Sequence, residues 1–208
     1  MILFVWFDGC HHSFIVFWFH RYLKDSQPLH KYTANEVTDR HYITCLDYSC
    51  QGEIAATYSE ENIYLFEAYG GTTENQVGST RASLQHYSGH LNCETVKGVS
   101  FFGPSDEYVA SGSDCGHCFI WDKASGDLLQ VLEADKDIVN CIEPHPHEAM
   151  TLATSGLEND CKIWQPTATQ TTVPEDMCDL VARNVKTLRD GGGWQVSRAF
   201  GVKETSLH

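Results

Sequence analysis

The chain has 208 residues and a formal net charge of −14, long enough for one or two domains with a sizeable apolar core. An acidic chain without a Lys/Arg cluster is a poor nucleic-acid binder, because phosphate affinity comes from basic residues, and it is equally ill suited to an anionic membrane surface. The nine cysteines are odd in number and irregular in spacing, which argues against a disulfide framework and for a reducing compartment, the nucleus and cytoplasm; at Cys45, Cys141 and Cys161 a reduced thiol is expected to serve as a small buried hydrophobe.

Residues 1–39 are set apart as an atypical apolar N-terminal segment. Met1–Phe19 holds two aromatic-apolar runs interrupted by Asp8, Gly9, His11 and His12. It lacks the basic leading region and small-residue cleavage site of a signal peptide. Runs this short are also poor membrane helices, which need about 20 unbroken apolar residues. A terminal strand hairpin, or a start foreign to the domain, fits better.

Residues 40–168 then repeat one plan. The first unit is Tyr42–Gly52, Glu53–Tyr58 and Asn62–Phe66; the second is Val96–Gly103, Tyr108–Asp114 and Cys118–Asp122; the third is Ile138–Glu143, Met150–Ser155 and Cys161–Trp164. In the second unit Val99, Phe101, Val109, Ser111, Phe119 and Trp121 alternate as half-buried strand residues do. Gly112-Ser113-Asp114 and Gly116 supply the hairpin chemistry. The closing aromatics Phe66, Trp121 and Trp164 recur at about the 40–45-residue period of propeller blades, and the longer first interval is filled by the Gly/Thr/Ser/Asn-rich Gly70–Ser83, read as a surface loop.

Within the second unit His90, Ser111, Asp114 and Trp121 have the spacing of a polar relay tying the loop before the blade to its third strand. The outer units keep only parts of it. Glu60 lies near the acid's place and Phe66 replaces the tryptophan in the first. In the third, Ala134-Asp135 replaces glycine-histidine and Leu157 takes the acid's position, while Thr57 and Thr154 match Ser111. The predicted fold is therefore all-β, a propeller of about three blades followed by a short C-terminal helix. Three blades cannot close a ring, so the chain is expected to be a piece of a larger propeller, a truncated product, or one that completes its ring with another chain.

After Trp164 comes a polar exit. Pro174–Arg189 is predicted as a helix: proline early, Glu175 and Asp176 in the first turn, Lys186 and Arg189 in the last. Met177, Leu180, Val181, Val185 and Leu188 share one face, expected to dock on the blades. Gly191–Gly193 stops it, and residues 194–208 are expected to be disordered; residues 169–208 thus form the last division of the chain.

No catalytic constellation, cofactor loop or metal site is predicted. Cys115-Gly116-His117-Cys118 has the composition of a dithiol redox site, a remote alternative as a thiol-disulfide oxidoreductase. Such a site opens a helix, whereas here a turn precedes it and the strand Phe119–Trp121 follows. Asp114 is also expected to raise the pKa of Cys115. Cys115 and Cys118 have metal-ligand spacing, but Cys141, His145 and His147 lack the paired spacing of a second half. Glu143-Pro144-His145-Pro146-His147 reads as a rigid turn whose histidines bond backbone or present a face.

Tyr42–Cys45, Tyr58–Phe66, Val96–Pro104, Ser111–Gly116, Val139–His147 and Ala153–Gly156 resemble the cullin-4-associated factor family of WD-repeat proteins, in the branch related to WD and tetratricopeptide repeats proteins. The resemblance covers roughly residues 40–168 and is most specific at Asn140–His147. It implies a substrate receptor of a cullin-4 RING ubiquitin ligase, whose protein partners are the ligase's propeller adaptor and an unknown substrate. Catalysis then belongs to other subunits. A ligase-independent scaffold fragment is the alternative. The family's adaptor motif is Trp-Asp-x-Arg; here Trp121-Asp122-Lys123 is followed by Ala124, and Trp164 by Gln165-Pro166. The candidate partner contacts are Trp121, Asp122, Lys123, His145 and His147.

Overall fold

The computed structural model describes residues 2–7, 13–18, 31–34, 36–67, 80–168 and 176–190. The chain begins with β1 (Ile2–Phe7), β2 (Ser13–Trp18) and the short β3 (Lys31–Tyr32). Next come β4 (Ile43–Tyr48), β5 (Glu53–Tyr58), β6 (Ile63–Glu67), β7 (Thr80–Arg81) and β8 (Gln85–Tyr87). Four strands follow, β9 (Val99–Phe102), β10 (Tyr108–Ser111), β11 (His117–Asp122) and β12 (Leu128–Glu133). The last elements are β13 (Val139–Pro144), β14 (Leu152–Gly156), β15 (Cys161–Trp164) and the helix α1 (Met177–Arg189). The predicted surface loop Gly70–Ser83 (except residues 80–83), Pro174, Glu175, the stop at Gly191–Gly193 and the tail 194–208 lie outside the described residues.

Three antiparallel sheets are the blades: β4-β5-β6-β8, β9-β10-β11-β12 and β13-β14-β15. They stand side by side as an open ring. The outer strand of the first and second blades is supplied after a loop: β8 pairs back onto β6 before the chain enters β9, and β12 pairs onto β11 before β13. A short strand with few apolar residues, β8 is positioned by its neighbour rather than by propensity. Within the N-terminal segment β1 pairs antiparallel with β2, Ile2 opposite Trp18. β3 joins this sheet, and its Tyr32 is fully buried in the first blade's core, its ring 5.7 Å from Phe66 in an edge contact.

The middle blade differs from the half-buried expectation. Val99, Phe101, Val109, Phe119 and Trp121 face a cluster shared with Ala55, Ile63, Leu65 and Tyr87 of the first blade. Phe102, Ala110 and Cys118 face a second cluster shared with Val139, Ile142 and Leu152 of the third. Both faces are buried because a blade packs against each one, so period-two alternation marks which neighbour a residue meets rather than inside against outside. Cys141 and Cys161 are exposed rather than buried, and Ile163 is 63% exposed. They lie on the third blade's far face, against which no further blade packs among the described residues.

Blade-to-blade approach is close at the hairpins. A Cβ on Gly112 would stand 2.2 Å from the Val139 carbonyl oxygen, and the Val139 amide donates to the Ser113 carbonyl at 3.0 Å. Gly116 has φ +80°, and a Cβ there would meet the Asp135 carbonyl at 2.5 Å. Both the backbone conformation and the contact therefore require glycine.

The helix begins at Met177, with Asp176 as a cap that makes no side-chain hydrogen bond, three residues later than the proline suggested. It docks on the blades as expected. Leu180 enters the cluster between the first and second blades, with Met177 and Val181 against it. Among the described residues no helix is long and apolar enough to cross a membrane.

Candidate functional site

The polar centre of the middle blade is built around an ion pair that the sequence did not announce. Lys97, completely buried, pairs with Asp114. Its ammonium also donates to the Thr95 carbonyl at 2.8 Å, to Thr95 Oγ1 at 2.6 Å and to Asn140 Oδ1 at 3.3 Å on the third blade. Burial pulls the Lys97 ammonium below its usual range, and Asp114 opposes that pull. The other Asp114 oxygen accepts the Cys93 amide at 2.5 Å and the Glu94 amide at 2.9 Å, fixing the loop before the blade.

This corrects the expected relay. Trp121 Nε1 donates to the Ser88 carbonyl at 3.0 Å, and Ser111 Oγ donates to backbone carbonyls of Gly98 and Gly112. His90 stands edge-on to Trp121, ring centroids 5.7 Å apart, and both its ring nitrogens are buried without a hydrogen-bond partner. Of the four residues His90 and Trp121 meet, and Lys97 rather than His90 takes the Asp114 carboxylate, because an ammonium neutralises a buried charge that a neutral ring cannot.

The outer blades use other donors and acceptors for the same task. Asn92 Nδ2 reaches the first blade at Thr44 Oγ1, Thr57 Oγ1 and the Tyr58 carbonyl. In the third blade the acid has changed sides. Asp135, on the entering loop, accepts the Glu158 amide of the hairpin at 3.0 Å together with the Asp137 and Ile138 amides. Leu157 in the acid's sequence position is thereby compensated. Trp164 Nε1 donates to Thr154 Oγ1 at 2.8 Å.

His90 predicts an acid sensitivity. Burial, and then the nearby Lys97 charge, push its pKa down to about 3, whereas an unfolded histidine titrates near ~6.5. The unfolded chain therefore takes up a proton first as pH falls. The His90 contribution is intact above ~6.5 and is lost below it at ~1.4 kcal/mol per pH unit. Between pH 7 and pH 5 wild type should lose about 2 kcal/mol more than His90→Leu in urea unfolding. Titrations of His117 and Asp47 are common to both proteins and cancel in the difference. Equal losses in the two proteins would remove the argument.

Two predicted partner contacts are internal. Trp121 is 1% exposed and Lys123 8%. Lys123 Nζ reaches Glu53 Oε2 on the first blade at 2.6 Å and lies 5.9 Å from the centre of the Phe101 ring, and its carbonyl accepts the Tyr87 hydroxyl at 2.8 Å. Asp122 accepts the Ala124 and Ser125 amides, chiefly the latter holding its carboxyl below the usual range. His145 and His147 are exposed. His145 Nδ1 accepts the His147 and Glu148 amides at 3.2 and 2.9 Å, which sets the turn.

The Cys115–Cys118 string fills the hairpin into β11, as its following strand indicated. Cys118 is fully buried and its thiol is pushed up to about 12 by that burial. The expected effect of Asp114 on Cys115 is corrected. Burial raises the Cys115 thiol, but hydrogen bonds from His117, Ser113 and Asn184 outweigh it and the net shift is downward; Asp114 is engaged by Lys97 and two amides. No group of three or more His, Cys, Asp or Glu able to hold a metal occurs among the described residues. Asn184 and Lys97 carried no sequence signal, since each stands as a polar interruption of an apolar pattern.

Residues 81–122 and 126–165 match the family model described as WD domain, G-beta repeat. Each match starts at or near the strand that completes the preceding blade. The chain is similar to "Protein ALTERED SEED GERMINATION 2" of Arabidopsis thaliana, 49% identical over 85 residues, 40% of this chain and 11% of that protein. It is similar to "DDB1- and CUL4-associated factor 6" of Homo sapiens, 49% identical over 81 residues, 38% of this chain and 9% of that one. "WD and tetratricopeptide repeats protein 1" of Mus musculus is 46% identical over 81 residues, 38% and 12% of the two chains. The matched stretch thus spans about a tenth of each relative.

Proposed function

We propose that this chain, which carries WD40 repeats at residues 81–122 and 126–165, holds protein partners on its blade array as part of a substrate receptor for a cullin-4 RING ubiquitin ligase. The observation that carries this reading is the 49% identity over 81 residues to a protein named for association with DDB1 and CUL4. The partners are then the ligase's propeller adaptor and a protein substrate, the site of action is the nucleus and cytoplasm, and the chemistry is left to other subunits. The His145–His147 turn is the proposed contact, since its two rings are exposed, 6.3 Å apart and held on proline-stiffened backbone.

The tagged full chain is expected to co-precipitate DDB1. A His145→Ala/His147→Ala double variant with an unchanged circular dichroism spectrum should bind about fivefold or more weakly. A folded chain that captures no DDB1 sinks the ligase reading. One observation favours a ligase-independent scaffold: no blade end carries the arginine of the adaptor motif, and Lys123 is buried against Glu53. Partner binding that survives depletion of DDB1 would decide for that alternative.

A further inference from the structure

We propose that the free edge of β15 and the groove beside it take an extended, basic segment of a partner protein as the fourth strand of the third blade. The first two blades show what belongs there. Each has a fourth strand antiparallel to its third: β8 on β6 with Tyr87 opposite Ile63, and β12 on β11 with Leu132 opposite Cys118. Among the described residues β15 pairs with β14 alone, so its second edge presents backbone N–H and C=O groups to any strand that can reach them. Strand addition at such an edge draws affinity from main-chain hydrogen bonds and specificity from the side chains that alternate into a neighbouring pocket.

Blade stacking dictates what that strand must carry. On the second blade Cys118, Ile120 and Leu132 turn toward the third, and Leu132 and Leu129 of β12 form one wall of the groove of about 450 Å³. Half-buried Trp164 and Met150, 39% exposed, line it from the third blade. At the interface of the first and second blades the corresponding places are filled by β12 itself. Val131 is 5% exposed there and Leu128 packs against the same cluster. The incoming strand therefore presents apolar side chains to the groove in the places that Leu128 and Val131 hold one blade earlier.

The sequence that follows β15 does not match that requirement. Leu128 stands six places beyond Asp122; the same interval after Trp164 aligns Gln170 with Leu128 and Pro174 with Leu132, a polar residue and one without an N–H to donate. Residues 165–168 run exposed along the groove and join no strand. Charge selects the partner further. Residues 139–168 carry Glu143, Glu148, Glu158 and Asp160 against the single ammonium of Lys162, which Glu158 and Asp160 already engage. Glu148 accepts Gln165 Nε2 at 2.9 Å, and Gln165 lines the groove. A strand flanked by Lys or Arg is favoured here and an acidic one is repelled. The surface serves such a partner whether or not the chain enters a ligase.

The probe is a fluorescein-labelled peptide copying β12 (Leu128–Glu133) with Glu133→Lys and two lysines added at each end, titrated with the full chain by fluorescence anisotropy. Saturable binding is expected, about tenfold weaker when glutamates replace the added lysines. Leu129→Arg in the protein, at a side chain already 37% exposed, should weaken it about fivefold or more; Met150→Arg is read instead if Leu129→Arg changes the circular dichroism spectrum. Two further peptides, N-methylated at alternate residues in the two possible frames, should differ, because only one frame turns its N–H groups to β15. Amide exchange at 161–164 should slow when the peptide binds. Absence of saturable binding, equal binding of the two methylated peptides, indifference to the groove variant, or slowed exchange elsewhere than at 161–164 would each overturn the proposal. Edge protection in the free chain would overturn it as well: protection that dilution lowers makes a second copy the occupant, and protection that dilution leaves intact makes it the chain itself.

Discussion

Lys97→Met is expected to destabilise the chain by about 3–5 kcal/mol, because removing one partner of a buried ion pair leaves the other charge uncompensated. Asp114 has 3% side-chain exposure, so water cannot replace the lost ammonium. Its two backbone donors, the Cys93 and Glu94 amides, remain and set the lower end of the range. The substitution also removes one of the two side-chain donors to Asn140 Oδ1 on the third blade, leaving Thr95 Oγ1 at 2.6 Å, so the contact between second and third blades loosens with the loop. Asp114→Asn should cost a similar amount from the other side, leaving Lys97 buried among dipoles. The double variant should cost less than the two singles together by about 1–3 kcal/mol, the coupling range of neighbouring groups. Urea unfolding of all four proteins measures the cycle. Additivity to within about 0.5 kcal/mol would mean that the pair contributes no coupling and that the loop is held by the amides alone.

Lys97 also marks where the sequence stops being legible. Val96 and Lys97 read as an apolar residue followed by a polar one at the mouth of a strand. In the fold Val96 is 59% exposed and Lys97 fully buried. Hydrophobicity cannot rank these positions, because the burial of Lys97 is compensated by Asp114, which lies on the next hairpin, and by Asn140, which lies on the next blade. His90 and Asp135 teach the same lesson in opposite directions. The expected histidine is present but bonds nothing, while a residue outside the pattern, Asp135, takes over the acid's work from across the loop.

What was legible were the elements whose register is local. The three-strand cores at 43–67, 99–122 and 139–164 follow from alternation and turn residues, and the strand after Cys115-Gly116-His117-Cys118 correctly removed it from helical redox chemistry. β8 and β12 were missed for different reasons. β8 is three residues long with one buried side chain, Tyr87. β12 pairs through a register shift between Ile120 and Trp121, which breaks the simple alternation that would have revealed its partner. Asn184 was hidden on an otherwise apolar helical seam, where its partners, Gly89 and Cys115, are visible only once the helix has docked.

The second large effect separates the two closing tryptophans. Trp121→Ala should cost about 3–5 kcal/mol, the range for deleting a large buried aromatic. Trp121 packs within 6 Å of Phe119, Tyr87 and His90 by ring centroids, at 5.8, 5.9 and 5.7 Å, and its indole satisfies the Ser88 carbonyl. These neighbours come from two blades, and Leu180 of α1 closes the same cluster, so the cavity cannot collapse without moving three elements. Trp164 occupies the matching sequence position but lines an open groove of about 450 Å³ with Phe102, Tyr108, Ile120 and Leu152. Water already reaches that face, and Trp164→Ala should cost only about 1–2 kcal/mol. Thermal unfolding should therefore shift by on the order of 10 °C for Trp121→Ala and by a few degrees for Trp164→Ala. Equal shifts would show that the groove beside Trp164 is closed in solution, and that the third blade is packed on the side where its neighbour now leaves it open.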